Sequence, residues 1–374
     1  MKLRFDDLTS LRGVAALSVA AMHLWLDLNN QALIAADSVF NTGTQFIAKS
    51  YLFVDFFFVL SGFVLFISYA GEFSTRINLR DWKTFLVRRI GRLFPLHLFM
   101  LALFLPYELS RIYLSTGSSA FAPPNTVENF VLSIFLMQAW VPHGFGWNSP
   151  AWSISAEWFV NIFFPVLAFI VLRQSRAFSA AAAVILLAGI GVWCLFIAPD
   201  VQLWNNSNYP LLRCAMEFTI GLCIGRLSGA DLVRATPAIP VIGSQLFIAA
   251  ILAAAILAMH LGLNDTYPVV AFSLLIYAIA VRRKDTAFLS PRPLRLLGEW
   301  SYSIYLVHRL ICVVTSFVVS RLMHGRMLTD LEAAAMFVAV LAVVIGVSSL
   351  TYRWIEVPAR RAVYGMTIRN ARTA

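Results

Sequence analysis

The sequence predicts an all-α membrane protein, a polytopic bundle of about ten spanning helices plus one short re-entrant or interfacial helix. Three observations predict it. The 374 residues are 60% apolar and only 13% charged, with a mean hydropathy of +0.76, whereas soluble domains sit near 45–50% apolar and about 25% charged. Apolar runs of roughly spanning length recur along the whole chain. The basic residues gather in alternate gaps between those runs.

The runs cover 8–28, 46–69, 93–112, 153–172, 178–198, 210–228, 240–262, 266–281, 298–320 and 333–355. Each is long enough, or nearly so, to cross a hydrocarbon core of about 30 Å. Lys2 and Arg4 precede the first run, and no small-residue cleavage site closes it. It therefore reads as a retained span and not a signal peptide. The segment 127–140 is short and opens with Glu128 and Asn129, so it reads as an eleventh span, a re-entrant piece or an interfacial helix.

Charge arbitrates, because short cytoplasmic loops retain Lys and Arg. If 127–140 does not cross, one side holds Lys2, Arg4 and Arg12, then Arg76, Arg80, Lys83, Arg88, Arg89 and Arg92, then Arg173 and Arg176. The same side holds Arg226, Arg234, Arg282, Arg283, Lys284, Arg292 and Arg295, and finally Arg353, Arg360, Arg361, Arg369 and Arg372, in all 23 of the 29 basic residues. If it does cross, every later loop inverts and the bias collapses. The expectation is a multi-pass plasma (inner) membrane protein with both termini cytoplasmic and 127–140 on one side. The net charge of +10 is then an orientation signal, with no nucleic-acid partner. Cys194, Cys214, Cys223 and Cys312 each lie in an apolar run without CxxC spacing. They read as small buried hydrophobes, with no disulfide or metal site. No internal repeat or low-complexity run stands out, so residues 1–374 are expected to form a single membrane-embedded domain with no appended soluble domain.

A pure anchor keeps its spans apolar, and this chain does not. Intramembrane ionisable groups are costly and usually face a bundle interior or a wet cavity. Arg12 and His23 are eleven residues apart, roughly 20° past three full turns, so they share a face about 16 Å apart along the axis. His is the side chain best suited to take a proton near neutral pH, although a lone intramembrane His can also be a packing residue. Asp55, in VDFFFVLSGF, is read near mid-membrane, either as a structural partner of an Arg or His or as a functional group. Ser61-Gly62 reads as a close-packing site. Arg89 and Arg92 share a face on an expected short interfacial helix, where they hold phosphates or meet anionic headgroups. Pro95 is expected to interrupt that helix, and His97 follows just inside the membrane. Trp140, Trp147 and Trp152 lie in the long stretch 113–152, at a depth typical of interface anchors. Trp152 and Ser153 lead to Glu157, expected about a turn and a half inside the outer leaflet, at a depth comparable with His23. Ser301, Tyr305 and His308 form one polar stripe, better placed along a cavity than against acyl chains. Arg213 and Glu217, at i,i+4, are expected to form an internal ion pair.

Five segments together resemble the acyltransferase-3 family of integral membrane proteins. They are SLRGVAALSVAAMH (Ser10–His23), DFFFVLSGF (Asp55–Phe63), RRIGRLFPLH (Arg88–His97), SPAWSISAEW (Ser149–Trp158) and LGEWSYSIYLVH (Leu297–His308). Members include O-antigen and exopolysaccharide O-acetylases, Nod-factor acetylases and macrolide acyltransferases. The resemblance implies transfer of an acyl group, often acetyl, from a cytoplasmic acyl-CoA co-substrate to a hydroxyl of a carbohydrate or lipid-linked glycan, with no bound cofactor. The family's Arg-x10-His feature falls on Arg12 and His23, its Arg-x-x-Arg feature on Arg89 and Arg92, and its Trp-Ser-x-x-x-Glu region on Trp152, Ser153 and Glu157.

Residues and resemblance together give an expected mechanism. Arg89 and Arg92 grip donor phosphates, since guanidinium forks suit phosphate oxygens, and Arg12 helps hold the donor. Asp55, Trp152, Ser153 and the Ser301/Tyr305/His308 stripe line a cavity. His23 is the general base, and Glu157 orients its imidazole. Two other classes stay open at this level. Intramembrane charge also marks secondary transporters or exporters of a glycan or small anionic solute, although those often carry internal repeats. The other class is a non-catalytic subunit of a glycan assembly complex.

Overall fold

The fold was analysed in a computed structural model that describes residues 5–114, 121–141, 145–204, 209–229, 241–282, 286 and 288–372. Lys2, Arg4, Arg234, Arg283 and Lys284 of the charge argument lie outside the described residues. The chain is helical throughout its described length, and its only described β-type pairing is an isolated bridge between Ile34 and Leu328.

The helices follow the apolar runs in order. α1 (Asp6–Asn30) leads through the short α2 (Val39–Thr42) to α3 (Phe53–Tyr69) and α4 (Leu79–Leu114). Next come α5 (Val127–Ile134), α6 (Ala151–Arg173), α7 (Arg176–Val192) and α8 (Pro210–Ser228). α9 (Gln245–His260) and α10 (Thr266–Arg282) precede α11 (Arg292–Glu299), α12 (Ser301–Met323), α13 (Asp330–Thr351) and α14 (Val357–Arg372). Seven described helical stretches are long and apolar enough to cross a membrane, and α9 and α10 are shorter apolar helices. α8 has 19 residues but carries Arg213, Glu217 and Arg226. Each of the ten apolar runs thus contains a helix. α5 has 8 residues, about 12 Å of rise, too short to cross. Its Thr126 cap accepts from Asn129 N at 3.1 Å, and His97 Nε2 donates to its Ser133 carbonyl at 2.7 Å.

Pro95 does not interrupt the third run. α4 continues for 36 residues through Pro95 and Pro106, so Arg89 and Arg92 sit on a long helix and not on a separate interfacial one. A proline removes one backbone bond, and membrane helices tolerate it where neighbours pack around the gap. α14 packs against the first half of α4, where a Cβ on Gly91 would lie 2.6 Å from Val363 Cβ, and it reaches the end of α3, where the hydroxyls of Tyr69 and Tyr364 meet at 3.1 Å.

Lipid tails are as apolar as leucine, so helix association in a bilayer depends on close contact and polar ties. One such close contact is between α3 and α8. A Cβ on Gly62 would fall 2.0 Å from the Phe218 carbonyl oxygen, and one on Gly221 would fall 2.0 Å from that of Val59. Gly62 is the close-packing residue the sequence suggested. Polar ties close the two ends of the bundle. At one, Asp7 accepts from Thr286 N at 2.8 Å and Ser290 Oγ at 2.7 Å, and Arg295 meets Asp6 at 2.8 Å. At the other, Asp265 gathers Lys49 at 2.7 Å, Tyr51 at 2.8 Å and Leu203 N at 3.0 Å. The four cysteines are buried and free.

Candidate active site

Two cavities lie along the seam where α1, α3, α6 and α12 meet, and α12 carries a polar residue into each. The first, of about 110 Å³, is lined by Arg12, Arg89, Arg92, Glu157, Ser61, Ser301 and Tyr302, with Phe57, Phe58, Leu60 and Leu93 among its apolar wall. The second, of about 230 Å³, is lined by His23, Ser149, Pro150 and the aromatic rings of Tyr51, Phe145, Trp152 and Trp204. The eleven-residue spacing on α1 sets Arg12 beside one cavity and His23 beside the other, a division the sequence had not shown.

In the first cavity three guanidinium groups face the single carboxylate of Glu157. Arg12 donates to Ser301 Oγ at 3.0 Å. Arg89, 5% exposed, meets Glu157 Oε1 at 2.7 Å, and Ser61 Oγ donates to the same oxygen at 2.7 Å. Arg92 makes no hydrogen bond or close ion pair with a described residue. Tyr302 donates to the Leu93 carbonyl at 2.6 Å. A half-buried, cation-rich cleft of this kind suits phosphate oxygens, which accept bidentate hydrogen bonds from guanidinium.

Glu157 therefore does not orient His23. Its helix, α6, turns the carboxylate toward α4 and α3, where Arg89 and Ser61 claim it. The imidazole of His23 is met by His308 instead, with His308 Nε2 and His23 Nδ1 3.2 Å apart. The tautomers follow from the partners. His308 Nδ1 lies 3.0 Å from the Ile304 carbonyl, which can only accept, so Nδ1 carries the proton and Nε2 of a neutral His308 is an acceptor. His23 Nδ1, 3.0 Å from the Val19 carbonyl, then donates to both Val19 and His308. His23 Nε2 is left with a lone pair and no hydrogen bond to a described residue, on a side chain that lines the second cavity.

Asp55 does not line a cavity. It sits in the first turn of α3, is fully buried, and takes two hydrogen bonds from Arg213, at 2.8 and 2.6 Å. Arg213 also donates to the Leu203 carbonyl at 2.6 Å. Glu217 lies farther off, at 3.9 Å from Arg213, so the principal ion pair of α8 runs to α3 and not along its own helix. A buried carboxylate needs such a partner. Arg213 was within reach of Asp55 only after α3 and α8 docked.

Trp152, Ser153, Ser301 and Tyr305 line the cavities as the stripe and motif arguments expected, whereas His308 lines neither and is fully buried behind Tyr305 and His23. Ser153 Oγ lies 2.7 Å from the Tyr305 hydroxyl, and Trp152 stacks on Phe145 with centroids 5.5 Å apart. The segment before α6 is tied to α12: Asn148 donates to the Leu306 carbonyl at 3.0 Å, Arg309 donates to Ser149 Oγ at 3.2 Å, and Arg309 also pairs with Asp27. Sequence reasoning missed Ser61 as a polar lining residue, and missed Tyr51, Phe145 and Trp204. No periodic signal marks these last three, which converge from separate connections around α3, α6 and the end of the 198–204 turn. It also missed Glu356, in a π-helical turn after α13, which accepts from Ser303 at 3.1 Å.

A family model described as an acyltransferase domain, of the acyltransferase-3 type, matches residues 5–353. The acyltransferase MdmB of Streptomyces mycarofaciens is 28% identical over 380 residues, covering 96% of this chain and 92% of that protein. No solved structure matches. The match spans both cavities and every helix that lines them, and the chain belongs to the acyltransferase-3 family of membrane enzymes that transfer acyl groups other than aminoacyl groups.

Proposed function

We propose that the protein is an integral membrane O-acyltransferase of the plasma (inner) membrane, with both termini in the cytoplasm. It moves an acyl group, typically acetyl, from acyl-CoA to a hydroxyl of a carbohydrate or other glycan-like acceptor. The observation that carries this reading is the division of labour along α1: Arg12 lies in a cation-rich cavity and His23 in an aromatic one, on one helix face. Arg92 and Arg12 bind donor phosphates, while Arg89, held by Glu157, completes the positive rim. The pantetheine arm follows the apolar wall of Phe57, Phe58 and Leu93 toward the second cavity. There, Nε2 of His23 takes the proton of the acceptor hydroxyl as its oxygen attacks the thioester carbonyl. The C–S bond breaks, and the proton passes from His23 to the departing thiolate. Aromatic faces such as Trp152 and Trp204 suit the apolar face of a sugar ring.

Radiolabelled acetyl-CoA supplied to inverted membrane vesicles tests the proposal. Label is expected in membrane glycan, falling about 10²–10⁴-fold in a His23→Ala variant present at equal level. Unchanged incorporation in that variant would refute the role of His23. Label that accumulates inside vesicles without transfer would favour a transporter.

A further inference from the structure

Among the described residues, Tyr305 alone lines both cavities. Its ring is held on three sides. The hydroxyl closes a triangle with Ser153 Oγ, at 2.7 Å, and the Pro150 carbonyl, at 3.2 Å, while Ser153 itself reaches that carbonyl at 3.0 Å. Phe57 meets the ring edge-on at a centroid distance of 5.7 Å, and His308 does so at 5.9 Å. The residue is 6% exposed. It is therefore a fixed wall in the middle of the seam, and Pro150, at the N-terminus of α6, gives it a backbone anchor that does not depend on a rotamer.

We propose that Tyr305 is the specificity-determining residue for acyl-chain length. The inference rests on the functional reading above. Phosphates held at Arg12 and Arg92 lie on one side of Tyr305, and the base His23 lies on the other. A thioester carbonyl within reach of a hydroxyl bound at His23 must sit at the junction of the cavities. The carbons beyond that carbonyl then meet the Tyr305 ring, Ser153 and Phe57. A rigid ring held by three groups leaves room for a short acyl group and turns away longer ones. One methylene more or less in such a pocket changes discrimination by about 10–200-fold.

The test uses the full chain in membranes that carry the native acceptor. It measures His23-dependent release of coenzyme A thiol, defined as release lost in a His23→Ala variant, from acyl-CoA esters of two, three, four and six carbons. The parent is expected to prefer the shortest esters. Tyr305→Ala, and Tyr305→Leu as a variant that refills part of the space, are expected to raise the four-carbon to two-carbon rate ratio at least about tenfold. Tyr305→Phe keeps the ring but loses the hydroxyl's ties to Ser153 and Pro150, so it should raise the ratio less than the Ala variant does. An unchanged order of chain lengths in both the Ala and Leu variants, with His23-dependent release still present, would overturn this proposal and leave the functional reading intact. Absence of His23-dependent release from any ester in the parent would overturn both.

Discussion

Nε2 of His308 lies 3.2 Å from Nδ1 of His23, and the two rings are tilted at a centroid distance of 5.0 Å. A neutral imidazole thus stands where a carboxylate often supports a catalytic histidine. When His23 takes a proton at Nε2, its Nδ1–H donates more strongly to His308. A hydrogen bond to a charged group is worth about 1.5–3 kcal/mol, or about 10–100-fold in rate. His308→Leu should therefore lower kcat by that factor with little change in KM for the acyl donor. His308→Gln offers an acceptor oxygen near the same point and should recover part of the loss. Initial rates in matched membranes decide it. Equal losses in the Leu and Gln variants would reduce His308 to a packing role.

Arg89 and Glu157 form the ion pair of the first cavity, at 2.7 Å, with Arg89 buried and Glu157 partly exposed. Removing one partner strands the other charge, at a cost below the ~3–5 kcal/mol of a fully buried pair because Glu157 is partly exposed. Glu157→Ala and Arg89→Ala should each lower the thermal midpoint of the detergent-solubilised protein. Replacing both by Met should restore much of the stability and none of the activity. A double variant less stable than either single one would show that the pair is not the main tie between α4 and α6.

Gly62 and Gly221 bring α3 and α8 into backbone contact. Ala at either position places a Cβ 2.0 Å from a carbonyl oxygen of the other helix, and backbone cannot swing aside as a side chain tip can. Overpacking in a tight site costs about 1–3 kcal/mol. Each substitution should reduce the folded fraction recovered by size-exclusion chromatography. The Asp55–Arg213 pair lies on the same two helices, so loss of that fraction should be accompanied by greater protease sensitivity in α8.

The four native cysteines are buried, so membrane-impermeant thiol reagents should label the parent weakly. Asp37 and Ser74 are exposed and belong to opposite ends of the bundle, one after α1 and the other between α3 and α4. With cytoplasmic termini, Asp37→Cys should label in intact spheroplasts and Ser74→Cys only in inverted vesicles. The reverse pattern would invert the proposed direction of transfer.

Much of this protein was legible in one dimension, for a physical reason. In a bilayer each spanning segment must satisfy its own backbone, so helices follow from local apolar length alone. The faces of those helices follow from the 3.6-residue period. That is why Arg12 with His23, and Ser301 with Tyr305 and His308, could each be put on one helix face, whereas the short 127–140 segment was left open by its length and needed the loop charges to keep it on one side. Which helix lies beside which is not local. Glu157 was expected beside His23 because both were read at similar depth, yet docking of α6 against α4 and α3 gave it to Arg89 and Ser61. Asp55 was read either as a structural partner of an Arg or His or as a cavity group, and only docking settled it on the first, with Arg213, 158 residues away in sequence. Those choices depend on glycine contacts and buried charge pairing between helices, terms that no single segment contains. The sequence by itself determined the spans, the polar faces and the family. Only the tertiary structure decided that the polar faces form two cavities, that Tyr305 stands between them, and that the partner of His23 is another histidine.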